Sequence, residues 1–568
     1  MDQTTAFRAQ MTALGASAGL ALWVLLDWLP DHLEADRLRL LMVVALGAAF
    51  WTALTLGGAV ALRRLALPAL ALGAVLGGMV WWASFRFDAV DPFLELLYPV
   101  VATGMALTIA IPFLGAGLRG RWTDYPTLFE LTWSIVARVL AALVFTAIVW
   151  SVVWLSDALL KIVGIDLITR LLQTDWVPFV LSGAVFGLAL AVVHEMRALI
   201  SPDLLLRLLR LLAPVLLAVT AVFLAALPFR GLSGLVGTLS PAATLLAVAL
   251  AAVVLVTVSV DRDDAEAVAG AGMRRVVRLL AALTPVLALL ALYAIWLRID
   301  QHGLTPRRIW ALTVGVVTLI YGLAYTLCAV RSDWMSGLRR ANVGIAMLVL
   351  LVCLGWLTPL FSPEAISARS QLRLLAVAET PDRSALYALA HDWGRPGRAA
   401  LARLETEQPA LAPLIAEARQ ASSRWLFESG VVTAEAGGDL WSQIRVVPAD
   451  ALAGPEVLRD LPDYLQRELA QACAEGTPVR PGCLLLAPPG ASGVLLFTLI
   501  GNERAQVRAM RWVDGALSEG PLPMVPGQGE AYDLDAAVVE EIAAGRYVWG
   551  PVPLDGLTVG DVAIIPDN

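Results

Sequence analysis

Stretches of about 20 apolar residues recur roughly eleven times before Phe361, and about 207 water-compatible residues then follow. The candidates lie near 11–30, 38–62, 65–84, 93–118, 131–155, 176–194, 209–228, 240–260, 276–297, 308–330 and 342–361. So many long apolar runs cannot all be buried in one soluble core, and lipid is the solvent that accepts them. The pattern predicts a polytopic α-helical membrane protein with about 11 transmembrane helices over residues 1–361 and a soluble C-terminal α+β domain over 362–568. Met11–Pro30 is long for a signal peptide and reads as an uncleaved anchor.

Charge separates the same two regions. Residues 362–568 hold 16 Arg and 27 Asp or Glu, so the remaining net charge of the membrane region is about +4 within a total of -7. An acidic soluble region excludes nucleic acid as a natural partner and leaves membrane lipids and an envelope protein as candidates. The arginine bias of the short loops, about 15 against 9, favours a cytoplasmic N-terminus. An odd number of spans then puts the C-terminal domain in a periplasm-like space. Trp81, Trp82, Trp150, Trp154, Trp176, Trp296, Trp310 and Trp356 fall near span ends on that outer side, as interface anchors would. Asp157–Asp175 and Arg197–Arg210 mix apolar and charged residues, reading as interfacial helices or as extensions of neighbouring spans.

Residues 210–263 and 278–333 share an order of landmarks: Arg210 and Arg278, Pro214 and Pro285, Ser240-Pro241 and Thr305-Pro306, Arg262-Asp263 and Arg331-Ser332-Asp333. They read as a parallel repeat of a helix pair, with Ser240 and Thr305 as N-caps. Similar composition of Leu/Ala-rich spans is the alternative origin.

Few residues offer chemistry. The loop Arg298–Arg308 gathers Arg298, Asp300, His302, Arg307 and Arg308 on the predicted outer face, against the charge bias. Arginine forks there suit an anion or lipid head group, while a simple loop closure is the other reading. Arg230 would occupy the matching turn of the first repeat copy. Arg138 lies inside the fifth span, where it either snorkels to the surface or shares a cavity with Glu130 or Glu195. His194-Glu195 begins a zinc-protease pattern, but Ala198 stands where the second histidine belongs, so no metal is expected. No catalytic residue and no cofactor motif emerges. Gly527-Gln528-Gly529 is followed by Tyr532 in place of a third glycine, and neither Ser233 nor Ser492 lies in a nucleophile elbow.

In the soluble region, residues 365–422 read as short helices broken at Pro381, Pro396 and Pro409. Over 440–568 the pattern becomes α+β, with strands at Trp441–Val447, Cys483–Ala487, Gly493–Ile500 and Ala505–Val513. Helices at Pro462–Ala474 and 535–544 and a closing strand at Asp561–Ile565 complete it. Cys473 and Cys483 are separated by a Gly/Pro-rich loop and suit a disulfide in an oxidising compartment, whereas Cys328 and Cys353 serve as small apolar fillers.

Three stretches point to a family: Asp124-Tyr125-Pro126-Thr127-Leu128-Phe129-Glu130, Leu227-Pro228-Phe229-Arg230-Gly231-Leu232, and Leu297-Arg298-Ile299-Asp300-Gln301-His302-Gly303-Leu304-Thr305-Pro306-Arg307-Arg308. Two more follow the last span, Ser367-Ala368-Arg369-Ser370-Gln371-Leu372 and Asp392-Trp393-Gly394-Arg395-Pro396-Gly397-Arg398. Together they resemble a bacterial membrane-protein family known only as domain of unknown function 4153, although that family more often has Tyr where this chain has His302. The resemblance implies an integral protein of the bacterial cytoplasmic (inner) membrane and brings no reaction, cofactor or site residue. Transport or lipid handling is the expectation for such a bundle. A membrane-anchored periplasmic scaffold is the alternative, and an enzyme ranks behind both.

Overall fold

A computed structural model describes residues 3–32, 35–196, 202–230, 240–358, 361–377, 381–421, 424–428, 441–448 and, in shorter stretches, parts of 454–564. Among the described residues eleven helices are long and apolar enough to cross a membrane. In order, these spans are Thr4–Trp28, Asp36–Leu56, Leu62–Ser84, Tyr98–Gly117, Tyr125–Ile162, Trp176–Glu195, Asp203–Phe229, Pro241–Val260, Ala271–His302, Pro306–Ala329 and Trp334–Trp356. The chain is a polytopic integral membrane protein.

Lipid tails are as apolar as leucine, so the spans associate through close fit more than through hydrophobic expulsion. Glycines supply that fit. Gly15 and Gly19 of span one meet Gly183 and Gly187 of span six, and a Cβ on Gly15 would lie 2.0 Å from the Gly183 carbonyl oxygen. Span three repeats the device, because a Cβ on Gly73 would come within 2.1 Å of the Ala45 carbonyl oxygen on span two. Gly322 of span ten sits against the Pro285 backbone of span nine, where a Cβ would meet the Pro285 nitrogen at 2.6 Å.

At the span ends the structure favours the extension reading in two places and revises other expectations. Asp157–Ile162 continues span five, which is one helix of 38 residues, and only Leu167–Leu172 forms a separate short helix. The described part of Arg197–Arg210 likewise belongs to the continuous helix Pro202–Arg230. Trp356 is no interface anchor: it is buried, with ring centroids of Tyr98, Trp310 and Phe361 at 5.0, 4.9 and 5.1 Å. Thr305 caps span ten by accepting from the Arg308 amide, whereas the Ser240 side chain caps nothing on span eight. The proline at N1 already removes one orphan amide in both helices, so Ser240 is not needed for that task.

The chain divides into two compact units. The first comprises residues 1–379 and 389–407, and so includes the spans, the helix Pro363–Leu375 and the helix Gly394–Glu407. Pro396 does not break the latter; it lies in the first turn, where a proline costs no hydrogen bond.

The second unit comprises 380–388 and 408–568. Its main sheet runs β1 (Arg445–Val447), β2 (Cys483–Leu486), β3 (Gly493–Ile500), β4 (Arg504–Val513), β5 (Ala516–Glu519), with Leu534–Asp535 also pairing β4. β1 and β2 are parallel and the remaining pairs antiparallel. Period-two alternation divides the strand residues between two faces. Leu484, Leu486, Leu495 and Phe497 pack with Val539 and Ile542 of the helix Ala537–Ala543, while Leu485, Val494, Leu496 and Met510 pack with Leu458, Leu465 and Leu469. Trp441–Gln443 is helical, which shortens the expected first strand to Arg445–Val447. Cys473 and Cys483 form a disulfide with Cα atoms 4.9 Å apart. Most of Pro462–Ala474, Gly527-Gln528 and Ser492 lie outside the described residues.

Candidate functional site

A span that ends inside protein leaves four carbonyl oxygens without amide partners. At the end of span eleven that role falls to Arg86, which follows span three. Its Nη2 donates to the carbonyl oxygens of Trp356 at 3.1 Å and Phe361 at 3.2 Å, and to that of Thr358. The guanidinium is buried, and so is its carboxylate partner Glu364, 3.7 Å from Nη1. Glu364 is held from two further sides. The Tyr98 hydroxyl, at the start of span four, donates to Oε1, and the Ser362 hydroxyl donates to Oε2 at 2.9 Å. Ser362 also N-caps the helix Pro363–Leu375 by accepting from the Ala365 amide, so the helix start and the carboxylate are fixed together.

The same helix reaches the turn between spans nine and ten. Gln371 Nε2 donates to the carbonyl oxygens of His302 at 2.9 Å and Leu304 at 3.2 Å, and the Leu304 amide donates to Ser370 Oγ at 3.0 Å. Gly303 is required there twice over. Its φ is +70°, and a Cβ would stand 2.5 Å from Leu374 Cδ1. Arg308 closes the turn from the other side, donating from Nη1 to the His302 and Gly303 carbonyls. The segment after residue 389 adds a third tie, in which the Arg395 amide donates to the Arg86 carbonyl oxygen at 2.8 Å. Arg395 and Arg398 both pair with Asp88.

Between this helix and the end of span nine lies a groove of about 480 Å³. Trp296, Ile299 and Asp300 form one wall, and Ile366, Arg369 and Arg373 the other. Arg369 and Arg373 are one turn apart on the same helix face and exposed, and among the described residues they make no hydrogen bond or ion pair. A larger cavity of about 520 Å³ between spans one, two, five and six is almost wholly apolar. Its two hydroxyls are already committed, Thr146 donating to the Ala142 carbonyl and Ser182 accepting from Trp150 Nε1.

The candidates read from sequence are only partly assembled. Arg298, Asp300, His302 and Arg307 cluster around the turn and are exposed, but Asp300 alone of these four lines the groove. Arg230 ends its helix, and its side chain lies outside the described residues. Arg138 belongs to the opposite end of the bundle. It does not snorkel, and among the described residues it meets no carboxylate: it is buried and donates to the carbonyl oxygens of Thr55 at 2.5 Å and Gly57 at 3.2 Å, capping span two. Glu195 pairs with Arg8 at 2.5 Å instead. Arg86, Tyr98, Glu364, Arg369 and Arg373 were not singled out from sequence. The signal available was Ser362-Pro363-Glu364, a helix start directly after the last apolar run.

A family model described as "Domain of unknown function (DUF4153)" matches residues 38–396, so the matched region includes the Arg86–Glu364 pair and both arginines of the groove. Neither a curated protein nor a solved structure matches the chain. The chain belongs to the DUF4153 family.

Proposed function

We propose that this protein handles lipid, binding an anionic phospholipid head group in the groove between Trp296–Leu304 and the helix Pro363–Leu375. The observation that carries the reading is the pair Arg369 and Arg373, cations unpaired among the described residues and facing a wall that contains exposed Trp296 and half-buried Ile299. Arginine forks match phosphate oxygens in pairs, and a tryptophan at a span end sits at head-group depth. A soluble anion needs only the charges, whereas a lipid uses the apolar wall as well.

In this reading the protein lies in the bacterial cytoplasmic membrane with its N-terminus inside and the groove and C-terminal unit outside. The arginine bias of the loops supports that sidedness, and so does the Cys473–Cys483 bridge, since such bonds persist in oxidising compartments.

Native mass spectrometry from phosphatidylglycerol/phosphatidylethanolamine bilayers tests the proposal. The double variant R369A/R373A should lose about thirtyfold of its phosphatidylglycerol adducts, each arginine contributing about 1 kcal/mol, and keep its phosphatidylethanolamine adducts. R298A/R307A, which lies outside the groove, should change little. Unchanged phosphatidylglycerol retention in R369A/R373A would refute the reading and leave an envelope-protein scaffold as the better one.

A further inference from the structure

A second site lies at the other end of the bundle, between spans four, five, eight, ten and eleven. A cavity of about 320 Å³ there is lined mainly by Phe113, Phe129, Trp133 and Val254, with polar groups converging from Tyr125, Tyr321 and Asn342. These polar residues lie within about two turns of that end: Tyr125 opens span five, Asn342 stands early in span eleven, and Tyr321 stands late in span ten. Val254 is 44% exposed on the flank of the bundle, so the cavity reaches the lipid-facing surface.

Proton bookkeeping decides what the cavity offers. Tyr325, behind it, donates to Asn342 Oδ1 at 2.5 Å and lies 2.7 Å from Thr257 Oγ1, which donates to the Val253 carbonyl. With its oxygen fixed in this way, Asn342 turns Nδ2 toward the Tyr125 oxygen at 3.4 Å. Tyr125 therefore accepts and, among the described residues, donates its own proton to nothing. The Tyr321 hydroxyl makes no hydrogen bond to any described residue, and its ring is held edge-on against Tyr325 at 5.7 Å. Among the described residues no charged side chain lines the cavity. Two phenols thus line an aromatic space near the span ends, and among the described residues neither hydroxyl has an acceptor. A buried donor left unmade costs free energy, and an acceptor oxygen removes that cost.

We infer that this cavity binds an uncharged, apolar-tailed molecule through a carbonyl oxygen that accepts hydrogen bonds from Tyr321 and Tyr125. A phosphate or carboxylate would find no cation there, and a pure hydrocarbon would leave both hydroxyls unsatisfied. The shallow depth is where ester carbonyls of lipids lie, and a quinone ring offers the same acceptor. The site is independent of the arginine groove.

The purified full-length protein in detergent is titrated with dioctanoylglycerol and, separately, with a decyl-substituted benzoquinone, and the probe's carbonyl stretch is followed by infrared spectroscopy. Binding of either probe with its carbonyl band moved to lower frequency supports the inference, and the probe that binds identifies the source. Tyr321→Phe keeps the ring and the fold and should weaken that probe about five- to tenfold, with part of the band shift lost. Ala346→Phe, which fills the cavity from span eleven, should abolish binding. The inference is overturned if neither probe binds, or if Tyr321→Phe binds as tightly as wild type with the same carbonyl frequency.

Discussion

The two ends of the bundle solve one problem with partners drawn from different distances in the chain. At the end bearing the Pro363–Leu375 helix, Arg86 caps span eleven, and its carboxylate, Glu364, comes from beyond the last span. At the opposite end, Arg210 and Arg339 cap span eight through the carbonyl oxygens of Val258 and Val260. Their carboxylates, Asp261 and Asp264, stand 51 and 75 positions from those arginines, whereas Glu364 stands 278 positions from Arg86. Both ends satisfy orphan carbonyls with guanidinium groups, as the positive charge and several donors of arginine allow. The nearer solution closes a loop. The distant one fastens a helix that would otherwise be a separate part of the chain, and in doing so builds one wall of the groove.

This contrast predicts an order of damage. Glu364→Ala leaves a buried guanidinium without its counter-charge and should destabilise by about 3–5 kcal/mol, the largest effect of the set. Thermal unfolding in detergent would register it as a large fall in midpoint, together with protease cleavage after Phe361. Survival of the wild-type midpoint would remove the distinction between the two ends. Arg210→Ala should cost less, about 2 kcal/mol, because Arg339 still holds the same span end. If it equals Glu364→Ala, the partner's distance along the chain does not matter.

The smallest effect is one of pH. Burial lifts the Asp261 carboxyl above its ordinary value of 3.8, against the Arg262 amide and the Arg210 guanidinium, which pull it down. Between 3.8 and the raised value the folded chain binds this proton more tightly than the unfolded chain. This contribution to stability therefore grows as pH falls through the raised value and levels off below the ordinary one. Asp261→Asn should flatten that slope, a change on the order of 1 °C in midpoint across the window. A slope unchanged in the variant would assign it to another carboxylate.

What the sequence discloses about this molecule follows from how each feature is encoded. Span length and apolarity are properties of contiguous residues, so all eleven spans were legible, with ends misjudged where charged turns such as Asp157–Ile162 continue a helix. The Gly15/Gly19 and Gly183/Gly187 spacing was also present as a small-x-x-x-small signal at both partners, although nothing in it says which two spans pair. Arg138 was recognisable as an anomaly, but its partners are backbone oxygens, which carry no residue signature. Arg86 was hidden for a different reason: it counts as an ordinary loop arginine until Glu364, 278 positions later by sequence number, is folded onto it. The turn Arg298–Arg308 drew attention by its charge, yet the cations facing the groove are Arg369 and Arg373 on the other wall.

The burial of Glu364 has a consequence for damaged genes. A nonsense change just after codon 361 would spare all eleven spans, yet it would strand the Arg86 charge inside the bundle. Such an allele would behave as a null for quality-control reasons, whatever the second unit does. A frameshift beyond codon 407 would keep the lock and leave the spans intact, so the two alleles separate the work of the membrane unit from that of the sheet-bearing one.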